Sequence, residues 1–398
     1  FHSSGTVRFE PGASVTQKVR WSTDGKAIYN AVVSGGTSSV VKGFMSGADY
    51  LTFSNDLTVD AGTIGPYGDK LRVTGNVVIN EGTLDLNTTD TADNIHSMGS
   101  LIVYGGASGI FQASPNQTKI TGPANGDYLW RTNGGTFHHN DGEVYFNTGS
   151  YNGVDIYPAS TQYFYNLTLS GSGTTEMYSS IIANNYTLGT DVIFRPITTT
   201  QSFTVSGTAT MNGFFGKDGY PQTNVTDNNF GTLNINSGGT YYATSGATNI
   251  TSGDFVHKTG GTFTHNNGKV VMAAASGDVG GSSTSTVFYD LESTSYVDVV
   301  KSITVENRMK ATGSNSWRFT NNQTITMGTA TSSGTIEVGT ASGKGMRFTN
   351  SNKTYKFEAA NEAHPWIGIS SGASWNNGEP GNTIELTGCD MQFDFNTK

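Results

Sequence analysis

One cysteine, nine prolines and a charged fraction of only 13% are what this 398-residue chain has little of. A lone Cys389 excludes an internal disulfide framework, and its simplest role is that of a small buried apolar residue. Lys and Arg number 22 against 31 Asp and Glu, giving a net charge of −9 with no basic block. Nucleic acid is therefore not an expected partner, because sequence-independent binding needs a positive patch. No apolar run approaches the roughly 18 residues of a membrane-spanning helix, so no membrane insertion is expected in this span. Long Ala/Leu/Glu/Lys stretches are also missing, which argues against helices. The sequence opens at Phe1 inside a repeat and without a basic and apolar leader, so a signal peptide or earlier repeats are expected to have been cleaved or left out.

What the chain does have is glycine, 52 of them, with abundant Thr, Ser and Asn, and 21 Phe, 18 Tyr and 5 Trp. That aromatic content argues against disorder. Thr, Val, Ile, Tyr and Phe favour strands, while Gly, Asn, Asp and Ser favour the turns between them. The composition predicts an all-β chain of many short strands.

The octamer HNNGKVVM at His265–Met272 returns as HNDGEVYF at His139–Phe146 and as HSSGTVRF at His2–Phe9. Each copy is followed by an aromatic or apolar residue and a Tyr: IYNAVVS, FYNLTLS and FYDLEST. The interval from the motif glycine to that Tyr is 24 (29 minus 5), 23 (165 minus 142) and 21 (289 minus 268). Upstream, GDYLWRTNGGTFHHNDG matches GDFVHKTGGTFTHNNG after one deletion, and GSLIVYGGASG matches GTLNINSGGT. The His starts are 137 (139 minus 2) and 126 (265 minus 139) residues apart. These matches divide the chain into three internal repeats of about 130 residues, 1–138, 139–264 and 265–398.

Apolar strand centres at Val144, Leu167, Leu188, Val205, Ile235, Ile250 and Val270 give six intervals over 126 residues (270 minus 144), a mean of 21. Coils of about 21 residues predict a β-solenoid (β-helix), in which each turn contributes two or three strands and stacks on its neighbour. Phe263 and Val270 are expected to point inward, Thr264 and Lys269 outward. The NNG and NDG triplets suit corners, since Asn and Asp tolerate left-handed backbone and Gly adopts positive φ without a steric penalty. The alternative is stacked β-sandwich repeats, with Asn-Gly as a two-residue hairpin turn. At ~4.8 Å per coil the solenoid would extend roughly 90 Å.

Four kinds of chemistry can be read from the residues. The recurrent His2, His139 and His265 have no accompanying ligand, so they are expected to bond the corner backbone, and no cofactor or metal is expected. Catalysis on glycans would need paired carboxylates, or a carboxylate and a base. Glu143 is replaced by Lys269 and Thr6 in the other repeats, leaving the non-repeated FEAANEAHPW, with Glu358, Glu362, His364 and Trp366, as the candidate for a chemistry that is not expected. Surface glycans are a partner class that aromatic faces suit. Trp21, Trp130, Trp366 and Trp375 are the candidates for stacking on sugars, with core or corner filling as the other role, and Trp366 and Trp375 in non-repeated sequence are the sharper pair. Eight Asn-x-Thr sequons, at Asn87, Asn116, Asn166, Asn185, Asn224, Asn249, Asn322 and Asn352, would be acceptors on outward corners in a glycosylating organism.

GGTFTHNNGKVV followed by VFYDL, and GGTFHHNDGEVYF followed by YFYNLTLSG, resemble repeats of very large prokaryotic surface proteins and of some phage fibres. That broad group includes the β-solenoid passengers of adhesins and autotransporters. The resemblance covers nearly the whole chain and implies a non-enzymatic extracellular role, on a cell or virion surface, without implying any functional residue. Combined with strands that begin and end the span, it leads to the expectation of a structural protein whose partners are copies of itself, in a filament, sheath or surface layer. Subunit contacts are expected near Phe1, Phe9, Phe393 and Phe395. An adhesive or receptor-binding rod is the alternative, and a polysaccharide lyase or hydrolase a third.

Overall fold

The computed structural model describes residues 4–21, 27–36, 38–45, 50–67, 70–87, 95–104, 108–122, 128–150, 152–216, 226–284, 286–312, 317–329, 331, 334–338, 344–348, 354–359, 366–369, 373–376, 383–387 and 390–393. Two compact units, Phe1–Ile197 and Thr198–Lys398, divide the chain, and their boundary falls inside the second sequence repeat. Each unit is a β-solenoid of stacked coils, with no helix among the described residues.

In the first unit, Leu57 lies beside Val77, Val77 beside Leu101 and Leu101 beside Trp130, one coil apart each time. Those coils hold 20 (77 minus 57), 24 (101 minus 77) and 29 (130 minus 101) residues. In the second unit, Ala247 lies beside Lys269 and Lys269 beside Asp290, coils of 22 (269 minus 247) and 21 (290 minus 269) residues. The expected period of about 21 thus sits inside a spread that loops widen, up to 32 residues between Gln323 and Tyr355 (355 minus 323).

Every described pair of strands is parallel, and the one antiparallel contact among the described residues is an isolated bridge between Tyr104 and Gly134. This overturns the sandwich alternative. A two-residue hairpin reverses the chain and pairs its flanks antiparallel, whereas these corners carry it onward until the next coil lies alongside in the same direction.

The strands alternate as a half-buried surface requires. In Lys70–Ile79 the side chains of Leu71, Val73, Val77 and Ile79 are buried and those between them reach outward. Aromatic rings fill the interior. Trp130 meets Phe111, Phe137, Phe146 and Phe164 at centroid distances of 4.8–6.0 Å. In the second unit Phe255 occupies the register position of Trp130, since Leu233 pairs Phe255 as Leu101 pairs Trp130, and it meets Phe263 and Phe288 at 5.1 and 5.2 Å. Phe263 is half-buried and Val270 buried, with Lys269 exposed, as the alternation predicts; Thr264 is half-buried.

One side of the first unit ends early. Its six-stranded ladder runs Thr16–Trp21, Val40–Met45, Thr63–Gly65, Thr83–Asp85, Ile110–Gln112, Thr136–His138, and no described strand pairs beyond Thr136–His138. The following coils are shorter, 23 residues from Glu143 to Asn166 (166 minus 143) and 19 from Asn166 to Asn185 (185 minus 166). A step is left on that side of the unit.

Candidate functional site

The corners that open the second and third repeats are built alike. Asn140 and Asp141 have φ of 48° and 58°, Asn266 and Asn267 have 50° and 58°, two left-handed residues in succession each time. His139 Nδ1 accepts the Asp141 N–H at 3.0 Å, and His265 Nδ1 accepts the Asn267 N–H at 3.0 Å. This is the expected bond of the recurrent His to the corner backbone; His2 lies outside the described residues. Each imidazole also stacks on the Tyr that follows its repeat, His139 on Tyr165 and His265 on Tyr289, both at 5.8 Å and 26°. The interval between motif and Tyr is one coil: Tyr165 and Tyr289 sit on the turn above.

The motif glycine is needed for a different reason from the one expected. Neither Gly142 nor Gly268 has positive φ; that conformation belongs to the Asn and Asp before them. A Cβ at Gly142 would lie 2.0 Å from the Ser114 carbonyl oxygen, and one at Gly268 2.2 Å from that of Thr244. Close approach to the coil beneath excludes any side chain there.

Beside the first unit's corner, on the step left by the short ladder, lies an open cleft of about 580 Å³. Its lining is Asn87, Phe137, His138, His139, Asn140, Asp141 and Tyr163. Tyr163 is 56% exposed. Neither its hydroxyl nor the exposed His138 imidazole hydrogen-bonds a described residue. Because His139 Nδ1 accepts a backbone N–H, its proton sits on Nε2, a donor with no acceptor among the described residues. At the second unit's corner the same atom is engaged, His265 Nε2 lying 3.2 Å from Glu306 Oε2.

Three other polar groupings stand on the solenoid walls. Tyr128, Tyr157 and Tyr178 follow one another over successive coils at 5.8 and 4.9 Å, with Arg131 over the first two rings. The Tyr178 hydroxyl is pushed up to about 12, first by burial and then by Asp155 and Glu176, whose charge Arg195 shares through an ion pair. In the second unit Asp254, Asp278 and Asp298 stack on consecutive coils, and burial followed by its two acidic neighbours raises Asp278, opposed by Arg318. Buried His257 bonds Thr286 at 2.9 Å, where the first unit has Thr132 bonding Gln162 at 3.1 Å: both partners have changed together. Lys301 reaches Thr286 Oγ1 as well, and burial brings its amine down to about 8.

Several candidates from the sequence fare differently. Trp130 is fully buried at 0% exposure, which corrects its candidacy as a sugar-stacking face: its position on Tyr128–Asn133 is an inward one. Trp366 begins the strand Trp366–Ile369, paired with Thr335 and Asp390, and Trp375 lies in Ala373–Asn376 beside Met346; their side chains, and that of Trp21, lie outside the described residues. Phe9 is half-buried next to Val33, while Phe393 ends Asp390–Phe393 beside Ile369 and its side chain lies outside the described residues, as do Phe1 and Phe395 altogether. Glu362, His364 and Cys389 are outside as well. Glu143 is held by Gln117 and Thr168, each at 2.6 Å, a wall contact between coils. Among the sequons, Asn166 and Asn185 bond one another at 3.0 Å, and Asn249 bonds Asn229 at 2.9 Å.

Of the cleft residues, the sequence marks Asn87 only as a sequon, and it marks His138 and Tyr163 not at all. The available signal was a difference inside a match: HH against TH and YFY against VFY at aligned positions of two repeats. No protein-family model matches the chain, and comparisons with curated proteins and with solved structures likewise find no match.

Proposed function

We propose that this protein is a non-enzymatic structural component of an extracellular or surface assembly, which associates with copies of itself into a filament, sheath or surface layer. The observation that supports this reading is the rebuilt corner. The same His–backbone bond and the same His–Tyr stack occur in both units with equal distance and angle. A feature rebuilt in that detail in both units supports a scaffold role for the corner.

Wall side chains support the same reading. Amide pairs cross from coil to coil at Asn55–Asn30, Asn185–Asn166, Asn236–Asn212 and Asn249–Asn229, all within 2.8–3.0 Å. Such ladders add side-chain bonds to backbone bonds along the stacking direction, the arrangement that gives cross-β assemblies their persistence. The test is electron microscopy across a concentration series. Ordered filaments, tubes or sheets with a regular repeat are expected; single particles at every concentration overturn the proposal. The face around Phe9 is the proposed contact, so Phe9→Asp is expected to raise the concentration needed for assembly about tenfold, the effect of about 1.4 kcal/mol.

Adhesion to surface glycans is a second reading, favoured by the aromatic and polar cleft of the first unit. A binding scaffold and an assembling one are compatible: micrographs report on assembly, and glycan binding is measured separately.

A further inference from the structure

We infer that the cleft beside the His139 corner binds a neutral saccharide, with Tyr163 as the stacking face and His138, His139 and Asp141 as hydrogen-bonding groups. This goes beyond self-association and stands independently of it, because a chain that never polymerises can still hold a sugar.

The first argument is a comparison inside the molecule. The two corners share backbone, histidine bond and tyrosine stack, so the scaffold explains those shared features. It does not explain what differs. At the position of His138 the second unit has Thr264, and at that of Tyr163 it has Val287. Opposite the imidazole the second unit has Glu306, bonded to His265, where the register places Asn184 in the first. The second corner is closed on itself, and the first leaves a donor and two large side chains facing solvent.

The second argument is chemical. A volume of about 580 Å³ falls in the roughly 300–1,000 Å³ range of small-molecule sites. Tyr163, 56% exposed, leaves apolar ring surface in water where the other repeat has a smaller, half-buried valine. A pyranose recovers it, since the apolar face of a sugar covers an aromatic ring while its hydroxyls meet polar groups around the rim. Asp141 accepts from hydroxyls, and His139 Nε2 donates to them. The carboxylate also opposes acidic sugars, which makes the neutral class the better fit.

The ladder edge at Thr136–His138 does not suggest an added strand instead. Three residues are too short a template, and short edges are how sheets avoid such pairing.

The test uses the full chain and four neutral probes, cellohexaose, chitohexaose, maltohexaose and xylohexaose, with oligogalacturonate as the acidic contrast, read by saturation-transfer NMR and calorimetry. At least one neutral probe is expected to bind. The double variant His138→Thr/Tyr163→Val, which writes the second unit's residues into the first, is expected to lose at least about tenfold in affinity, the effect of about 1.4 kcal/mol. Its melting temperature should be unchanged, because the same residues already fit the same corner elsewhere in the chain. Tyr163→Phe keeps the ring and should retain most of the affinity. Binding by none of the neutral probes, equal binding by the double variant, or equal binding of oligogalacturonate overturns the inference.

Discussion

A missing Cβ decides the corner. At Gly142 and Gly268 the backbone runs so close to a carbonyl oxygen of the preceding coil that an added methyl would lie 2.0 or 2.2 Å from it. Gly142→Ala and Gly268→Ala are expected to destabilise by about 1–3 kcal/mol, the usual cost of overpacking, measured by denaturant unfolding. Asp278 behaves oppositely. Its folded-state pKa is raised by burial and by Asp254 and Asp298, so ionisation is a cost in the native state. That cost is absent at pH below the ordinary 3.8, where the group is protonated folded or unfolded, and develops as pH rises through the folded-state value. Asp278→Asn is therefore expected to raise the melting temperature at pH 7, with the gain closing in acid. A gain that persists at pH 3 would contradict this account.

At the scale of the element, the coil is the unit of construction, and each strand leans on the coil below and above. Trp130 shows what that implies, because its ring touches phenylalanines on neighbouring coils and is wholly buried. Trp130→Ala is expected to cost about 3–5 kcal/mol, whereas Trp130→Phe, the residue that the second unit uses at this register, should cost far less. Equal losses for both would mean that the two positions are not equivalent. Much of this level was legible in sequence. The near-regular spacing of apolar centres disclosed the coil, since burial on one face forces strand alternation and stacking forces the period. The role of the motif glycine was not legible, because steric exclusion by a residue some 25 positions away leaves no local mark. Trp130 was ambiguous for a related reason: composition does not say which way a side chain points, and one register shift would reverse it.

On the scale of the whole molecule, the proposed association and the proposed cleft are separate properties, and the outcomes that test them are independent. The sequence by itself determined an all-β chain, its coil period and its repeats, because hydrophobic alternation and turn chemistry are local or periodic and survive in one dimension. Only the tertiary structure decided between parallel coils and hairpins, since Asn-Gly chemistry serves both and the pairing partner lies a full turn away. It also decided where a site lies. Asn87, His138 and Tyr163 are separated by 51 (138 minus 87) and 25 (163 minus 138) residues and line one cleft because a ladder stops at Thr136–His138 and the following coils are shorter. Where a ladder ends is set by how many residues each coil spends on each side, a sum over contacts between coils that no single segment carries.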